Sequence, residues 1–191
     1  LSLASANFLD TLNVWDSVVA TRARSYTDMR IWQDDFAQEL HFSAAEVGSA
    51  QLGWIVENSL LLDWLWNALP SGQRYSGVSV VACDFEAAPV NMSLSDGSAL
   101  EADLVISAEG ADSVLRESAG IESIAASYEQ RAVVCHVTTQ KPHRATAHQL
   151  FLLSGPLAFL PLADGRSSIV WSADEPLSRE LLALSDADFR E

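Results

Sequence analysis

Apolar positions recur along this chain with two different periods, and the change falls near Gly72. Before it, residues 2–12 and 14–23 carry the spacing of two short helices, with Asn13 suited to a left-handed stop between them. Tyr26 to Trp32 and Phe36 to Phe42 alternate weakly and predict strands. Glu57 to Leu69 carries the strongest helical pattern. Leu61, Trp64, Leu65, Ala68 and Leu69 form one stripe, Leu62 and Trp66 widen it, and Pro70-Ser71-Gly72 ends it.

Beyond Gly72 the period becomes two. Val78 to Phe85, Val90 to Leu94 and Leu100 to Ile106 predict strands, the last two joined by Asp96-Gly97, a tight-hairpin signature. Gln130 to Thr139, Ala147 to Leu153, Leu157 to Leu162 and Ser167 to Ser172 predict a second, antiparallel set, with Asp164-Gly165 turning the last pair. A final helix starts near Glu175, and Ser185-Asp186 is a further capping signal shortly before Glu191. No internal repeat or low-complexity linker interrupts the order. The pattern predicts an α/β (α+β) fold.

One stretch, "ADLVISAEGADSVLRESAGI" (residues 102–121), combines an apolar run, a glycine turn and a capped helix start. Such a turn aims backbone N–H groups and the positive end of a helix dipole at one point, the geometry that holds a phosphate. It also carries Glu109 and Asp112, which repel one. The residues alone leave two readings open: a ligand-binding turn, or a strand–turn–helix with Ser113 or Asp112 as its cap. Arg116, three residues after Ser113 and four after Asp112, is spaced to reach back toward Asp112 or Glu109.

Composition removes several function classes. A hydrophobic content of 49% marks a globular chain. The net charge of −15 argues against nucleic acid and against direct docking on anionic lipid, both of which need clustered Lys and Arg. Cys83 and Cys135 are too few for a disulfide framework and lack metal-ligand spacing, so a reducing, cytoplasmic compartment is expected. His41, His136, His143 and His148 are scattered, and no metal site is expected. G-x-S-x-G is absent, and no acid–base dyad or nucleophile set can be assembled from spacing, so no catalytic residue is assigned.

"LNVWDSVVATRARSYTDMRIW", "LGWIVENSLLLDWLWNAL", "ADLVISAEGADSVLRESAGI" and "SGPLAFLPLADGRSSIVWS", in this order along nearly the whole chain, resemble the flavin-dependent aromatic hydroxylases of ubiquinone biosynthesis. The resemblance implies a partial para-hydroxybenzoate hydroxylase-like fold. Residues 1–25 and 70–127 would belong to an FAD/NAD(P)-binding lobe, and 26–69 and 128–191 to an antiparallel substrate lobe. It implies FAD, reduced by NAD(P)H, and insertion of one oxygen atom from O2 into a polyprenylated ring. The partners implied are a hydrophobic quinone precursor and proteins of a quinone-biosynthesis complex, with peripheral contact at the inner membrane. Family members open with a G-x-G-x-x-G turn for the FAD pyrophosphate and carry a late Gly-Asp segment. Neither is found here, so the resemblance implies a central fragment.

Within the resemblance, the turn usually reads G-A-D-G-A-N-S. Here Ser107 stands for the first Gly, Glu109 for Asp and Asp112 for Asn, while Gly110, Ser113 and Arg116 match. Glu109, Gly110, Ser113 and Arg116 are therefore the implied cofactor contacts, together with Glu57 and Asn58. In "IVENS" the family's Arg is replaced by Ser59, which removes a cation. From the residues alone, Glu57-Asn58-Ser59 is equally a helix start capped by Asn58 or Ser59. "GPLAFLPL" is where the ring would lie, with Phe159 and Pro161 alternating with Leu160 and Phe151 joining from the neighbouring strand. The same aromatics also read as ordinary core. A second function class stays open, a non-catalytic degenerate or scaffold domain that binds partners of a quinone-biosynthesis complex.

Overall fold

The computed structural model describes residues 1–34 and 38–190. In chain order the elements are α1 (Leu3–Thr11), α2 (Trp15–Thr21), β1 (Arg24–Tyr26), β2 (Asp28–Gln33), β3 (Glu39–Ser43), β4 (Gly53–Ile55) and α3 (Asn58–Ala68). There follow β5 (Val80–Asp84), β6 (Val90–Leu94), β7 (Ala99–Ala102), α4 (Val114–Ser118), β8 (Gln130–Val137), β9 (Thr146–Leu152), β10 (Gly155–Pro161), β11 (Ser167–Asp174) and α5 (Glu175–Ala183). The chain divides into two compact units, one of residues 1–70 with those from 127 onward, the other Ser71–Ala126.

The first unit is built on a six-stranded sheet of order β3-β2-β9-β10-β11-β8. The strands expected between 130 and 172 all form and pair antiparallel. The Asp164-Gly165 turn is made as expected, with Gly165 at φ 89. The sheet also recruits β2, parallel to β9, and through it β3. The segment expected as one strand from Tyr26 to Trp32 changes sheet at Thr27. β1 pairs with β4 in a separate ribbon while β2 joins the large sheet. Thr27 is held at the switch by donating its N–H to Ala145 O (2.9 Å) and accepting from Ala44 N (2.8 Å). Phe36 of the second expected strand lies outside the described residues.

α1 and α2 form as expected, separated by Asn13 at φ 57. Ser2 caps α1 by accepting from Ser5 N at 3.2 Å. α3 closely follows its predicted span, yet none of its residues is buried, and Leu62, Trp66 and Leu69 stand 57%, 42% and 44% exposed. The stripe therefore makes a half-covered face. Trp15 and Trp54 meet edge to face, centroids 5.0 Å apart, beside the β1–β4 ribbon.

The second unit is the meander β5-β6-β7 followed by α4. Asp96-Gly97 makes its hairpin, with Gly97 at φ 86. The strand expected to run from Leu100 to Ile106 stops at Ala102. Leu104 and Ile106 are 75% and 80% exposed, because no strand pairs with them among the described residues.

Candidate functional site

The turn from Ser107 to Arg116 is organised around one carboxylate. Glu109 Oε2 accepts hydrogen bonds from Ser113 Oγ (2.6 Å), Ser107 Oγ (3.0 Å) and the backbone N–H of Leu115 (3.0 Å). Ser113 is the N-cap of α4 and accepts from Arg116 N at 3.1 Å. The residue is 4% exposed, and its hydroxyl stands 2.6 Å from that of Ser107. These donors, Ser113 first and the Leu115 N–H next, hold Glu109 below the usual carboxylate range. Gly110 sits at φ 89, a conformation that favours glycine, and open space surrounds its missing side chain.

Arg116 serves the turn in a different way from the one its spacing suggests. Its guanidinium donates to Ala111 O (2.5 Å) and Gly110 O (3.4 Å), bracing the two carbonyls just before the helix. Among the described residues neither Asp112 nor Arg116 makes an ion pair. The arginine's charge reaches Glu109 only as the smallest of the influences that lower it. Beside the turn lies a cavity of about 320 Å³, lined by the apolar Phe85, Val105 and Leu115 and by Gly110, Ser113 and Arg116.

This arrangement does not fit a diphosphate cradle. The N–H groups of Leu115 and Arg116, the ones a phosphate would take, already donate to Glu109 and Ser113. The protein's own anion fills the position. What remains for a cofactor is the open side of Gly110 and the outer edge of Arg116.

In the first unit, Glu57 occupies the N-cap position of α3 with extended backbone but makes no side-chain cap. Its carboxylate instead lies 3.3 Å from Arg22 Nε. Asn58 is the first helical residue and exposed, so neither Asn58 nor Ser59 caps the helix.

The large sheet separates the expected ring contacts. Phe159 pairs with His148, and His148 with Arg30, on one face. Phe151 pairs with Pro156, whose neighbours by alternation are Ala158 and Leu160, on the opposite face. Phe151 and Phe159 therefore look away from each other. Pro161 shares the Phe159 face of the strand and is fully buried. The row through Leu40, Ile31, Gln149, Ala158, Val170 and Val134 crosses all six strands on the Phe151 face. It is mostly apolar, and Leu40, Phe151 and Val134 are 63%, 44% and 59% exposed.

On the Phe159 face lies a cavity of about 820 Å³ whose lining includes the rings of Trp32, His148 and Phe159 together with Arg30, Lys141 and Arg144. Sequence reasoning missed these cations. The signal for part of them was the run Lys141-Pro142-His143-Arg144, two cations within four residues of an acidic chain. No group of His, Cys, Asp and Glu among the described residues forms a metal site. No helix among them is long and apolar enough to cross a membrane.

No protein-family model matches the chain. It is 34% identical over 193 residues to ubiquinone hydroxylase UbiL of Rhodospirillum rubrum, covering 100% of this chain and 44% of that protein. Against the 3-demethoxyubiquinol 3-hydroxylase of Escherichia coli the figures are 33% over 193 residues, 100% and 49%. Against the rat mitochondrial ubiquinone biosynthesis monooxygenase COQ6 they are 30% over 205 residues, 99% and 42%. The chain thus spans somewhat less than half the length of these curated relatives.

Among solved structures, pqsL, "a probable FAD-dependent monooxygenase from Pseudomonas aeruginosa", superposes with a TM-score of 0.74 at 18% identity, over 96% of this chain and 52% of that one. Klebsiella pneumoniae HpxO, complexed with FAD and uric acid, gives 0.67 at 17% identity, over 84% and 44%. Sequence and fold agree: the chain is a homologue of part of the ubiquinone-biosynthesis hydroxylases, built on the para-hydroxybenzoate hydroxylase-like fold of FAD-dependent monooxygenases.

Proposed function

We propose that this chain forms part of an FAD-dependent monooxygenase that hydroxylates a polyprenylated aromatic precursor of ubiquinone. The observation that carries this reading is similarity along this whole chain, at 30–34% identity, to part of three proteins named as ubiquinone or demethoxyubiquinol hydroxylases or as a ubiquinone biosynthesis monooxygenase. In this reading FAD, reduced by NAD(P)H, supplies the oxygen chemistry, and the chain supplies binding, orientation and exclusion of water. Residues 1–25 and 70–127 are assigned to the cofactor lobe, and 26–69 and 128–191 to the substrate lobe.

The cofactor-side residues are Glu57, Asn58, Glu109, Gly110, Ser113 and Arg116. Glu109 and Ser113 keep the turn in shape, and Gly110 with Arg116 offers the approachable edge. On the substrate side, the apolar sheet face with Phe151, Leu40 and Val134 suits a prenylated ring, since burying such surface from water is favourable at roughly 25 cal/mol per Å². Phe159 and Pro161 support that layer from the other side of β10. A membrane-dissolved precursor is best met by a cytoplasmic protein in peripheral contact with the inner membrane, alongside other proteins of quinone synthesis.

The test is a chimaera. The matched segment of the Escherichia coli 3-demethoxyubiquinol 3-hydroxylase is replaced by this chain and expressed in a strain lacking the enzyme, and quinones are analysed by mass spectrometry. Hydroxylated quinone is expected. A chimaera that folds and retains FAD yet yields none would overturn the proposal.

A further inference from the structure

We propose that the cavity on the Phe159 face of the sheet is a binding site for a phosphate monoester carried on a flat organic ring. This goes beyond hydroxylation and stands without it. The first support is charge. The chain carries a net −15, yet Arg30, Arg144 and Lys141, its single lysine, converge on one cavity. Two nearby acids are already engaged. Glu39 lies 3.4 Å from Arg30, and Asp28 is held by His41 (2.8 Å) and by the Thr27 hydroxyl (2.7 Å). Neither Lys141 nor Arg144 has an ion-pair partner among the described residues. Two unspent cations and a half-compensated third match a dianion better than a single carboxylate, and a phosphate monoester carries about −1.5 to −2 at neutral pH.

The second support is shape. Trp32 and His148 meet edge to face, centroids 6.1 Å apart at 82°, and Phe159 lies beside His148 in the register. They put three neighbouring rings on the lining that the cations share, a surface suited to a flat ring. Burial, then the neighbouring Arg30, push the His148 imidazole below its usual range, so it stays a neutral ring surface near pH 7. The volume of about 820 Å³ falls within the usual range for small-molecule sites.

The third support is how the loop of Lys141 and Arg144 is held. Arg144 and Ala145 are consecutive non-glycine residues at φ 50 and 56, a conformation that persists only when its surroundings impose it. His143 imposes it. Its Nδ1 accepts from Ala145 N (3.1 Å), so Nε2 carries the proton and donates to Leu162 O (3.1 Å). Thr27 N–H holds Ala145 O at 2.9 Å from β2's side. The loop that carries Lys141 and Arg144 is thereby fixed to the sheet.

The full chain is titrated calorimetrically with phenyl phosphate, and in parallel with inorganic phosphate, phenol, and phosphatidylcholine vesicles with and without phosphatidic acid. Phenyl phosphate is expected to bind at micromolar Kd, about tenfold or more tighter than inorganic phosphate or phenol. The double variant Lys141→Gln/Arg144→Asn, with Asn chosen because it tolerates positive φ, should weaken it about tenfold or more at an unchanged melting midpoint. Lys141→Arg alone should retain binding. Trp32→Leu should erase the preference over inorganic phosphate. Equal affinity for all three small ligands, unchanged binding by the folded double variant, or binding to phosphatidic acid vesicles alone would each overturn the proposal.

Discussion

Replacing Ser113 with Ala removes one oxygen that does three things: it caps α4, donates to Glu109 and faces Ser107. Loss of a serine cap costs about 1 kcal/mol, within a range of roughly 0.5–2. The bond to Glu109 adds a further, pH-dependent part to that figure, kept modest because the exposed carboxylate regains water once the hydroxyl is gone. The Ser113 site itself is 4% exposed, so no water replaces the lost oxygen at the Arg116 N–H without local opening. A cost of about 1–2 kcal/mol corresponds to roughly 5- to 30-fold faster amide exchange at Arg116 and Leu115. Hydrogen exchange read by NMR measures it, with Ser113→Thr, which keeps the oxygen, as the control.

The same variant carries a pH signature. Glu109 is held below the usual carboxylate range chiefly by Ser113, so its contribution is present above the unfolded carboxylate pKa and is lost as pH falls through the lower folded value. The gap between wild type and Ser113→Ala should therefore narrow as the solution is acidified through that window, leaving the cap term. Unchanged exchange at Arg116 and Leu115, or a gap that does not move with pH, would refute the account of the turn.

Gly155→Ala should fail to fold stably, at a cost of more than about 4 kcal/mol, because a Cβ at φ 120 would lie 1.8 Å from Ser172 O on β11; a urea midpoint near that of wild type would contradict it. Arg116→Ala should lower stability by about 1 kcal/mol through the freed Gly110 and Ala111 carbonyls, and adding Asp112→Asn should not recover the loss, since no ion pair joins the two side chains. Fluorescence titration of the chain with FAD should give no stoichiometric quenching at micromolar flavin, because Glu109 and Ser113 already take the helix donors; tight quenching would show that the turn rearranges around phosphate. Asp28→Asn should make stability less sensitive to acid, since Thr27 and then His41 hold Asp28 below the usual carboxylate range and that support disappears as pH falls through its folded value.

What could be read from the chain was what local chemistry decides. Asp96-Gly97 and Asp164-Gly165 marked real hairpins because positive φ is cheapest at glycine. Asn13 stopped α1, and the 3.6-residue stripe found α3, for equally local reasons. The parallel pairing of β2 with β9 was not legible. Its partners lie more than a hundred residues apart, and nothing in an alternating strand names its neighbour. The run Leu104-Val105-Ile106 failed from the same cause in reverse, having strand residues but no strand to pair with.

The split between Phe151 and Phe159 shows how a site can be misjudged although both strands that carry it are found. Both residues are odd-numbered, and within one strand that would place them on one face. The β9–β10 hairpin instead pairs Phe151 with Pro156 and Phe159 with His148, each pair joining an odd position to an even one. Parity reverses across such a turn, so two aromatics that look equivalent along the chain end on opposite sides of the sheet. A turn one residue shorter or longer would have united them. The loop between Leu152 and Gly155, with no chemistry of its own, therefore decides that Phe151 meets the apolar face while Phe159 lines a cavity with Arg30, Lys141 and Arg144.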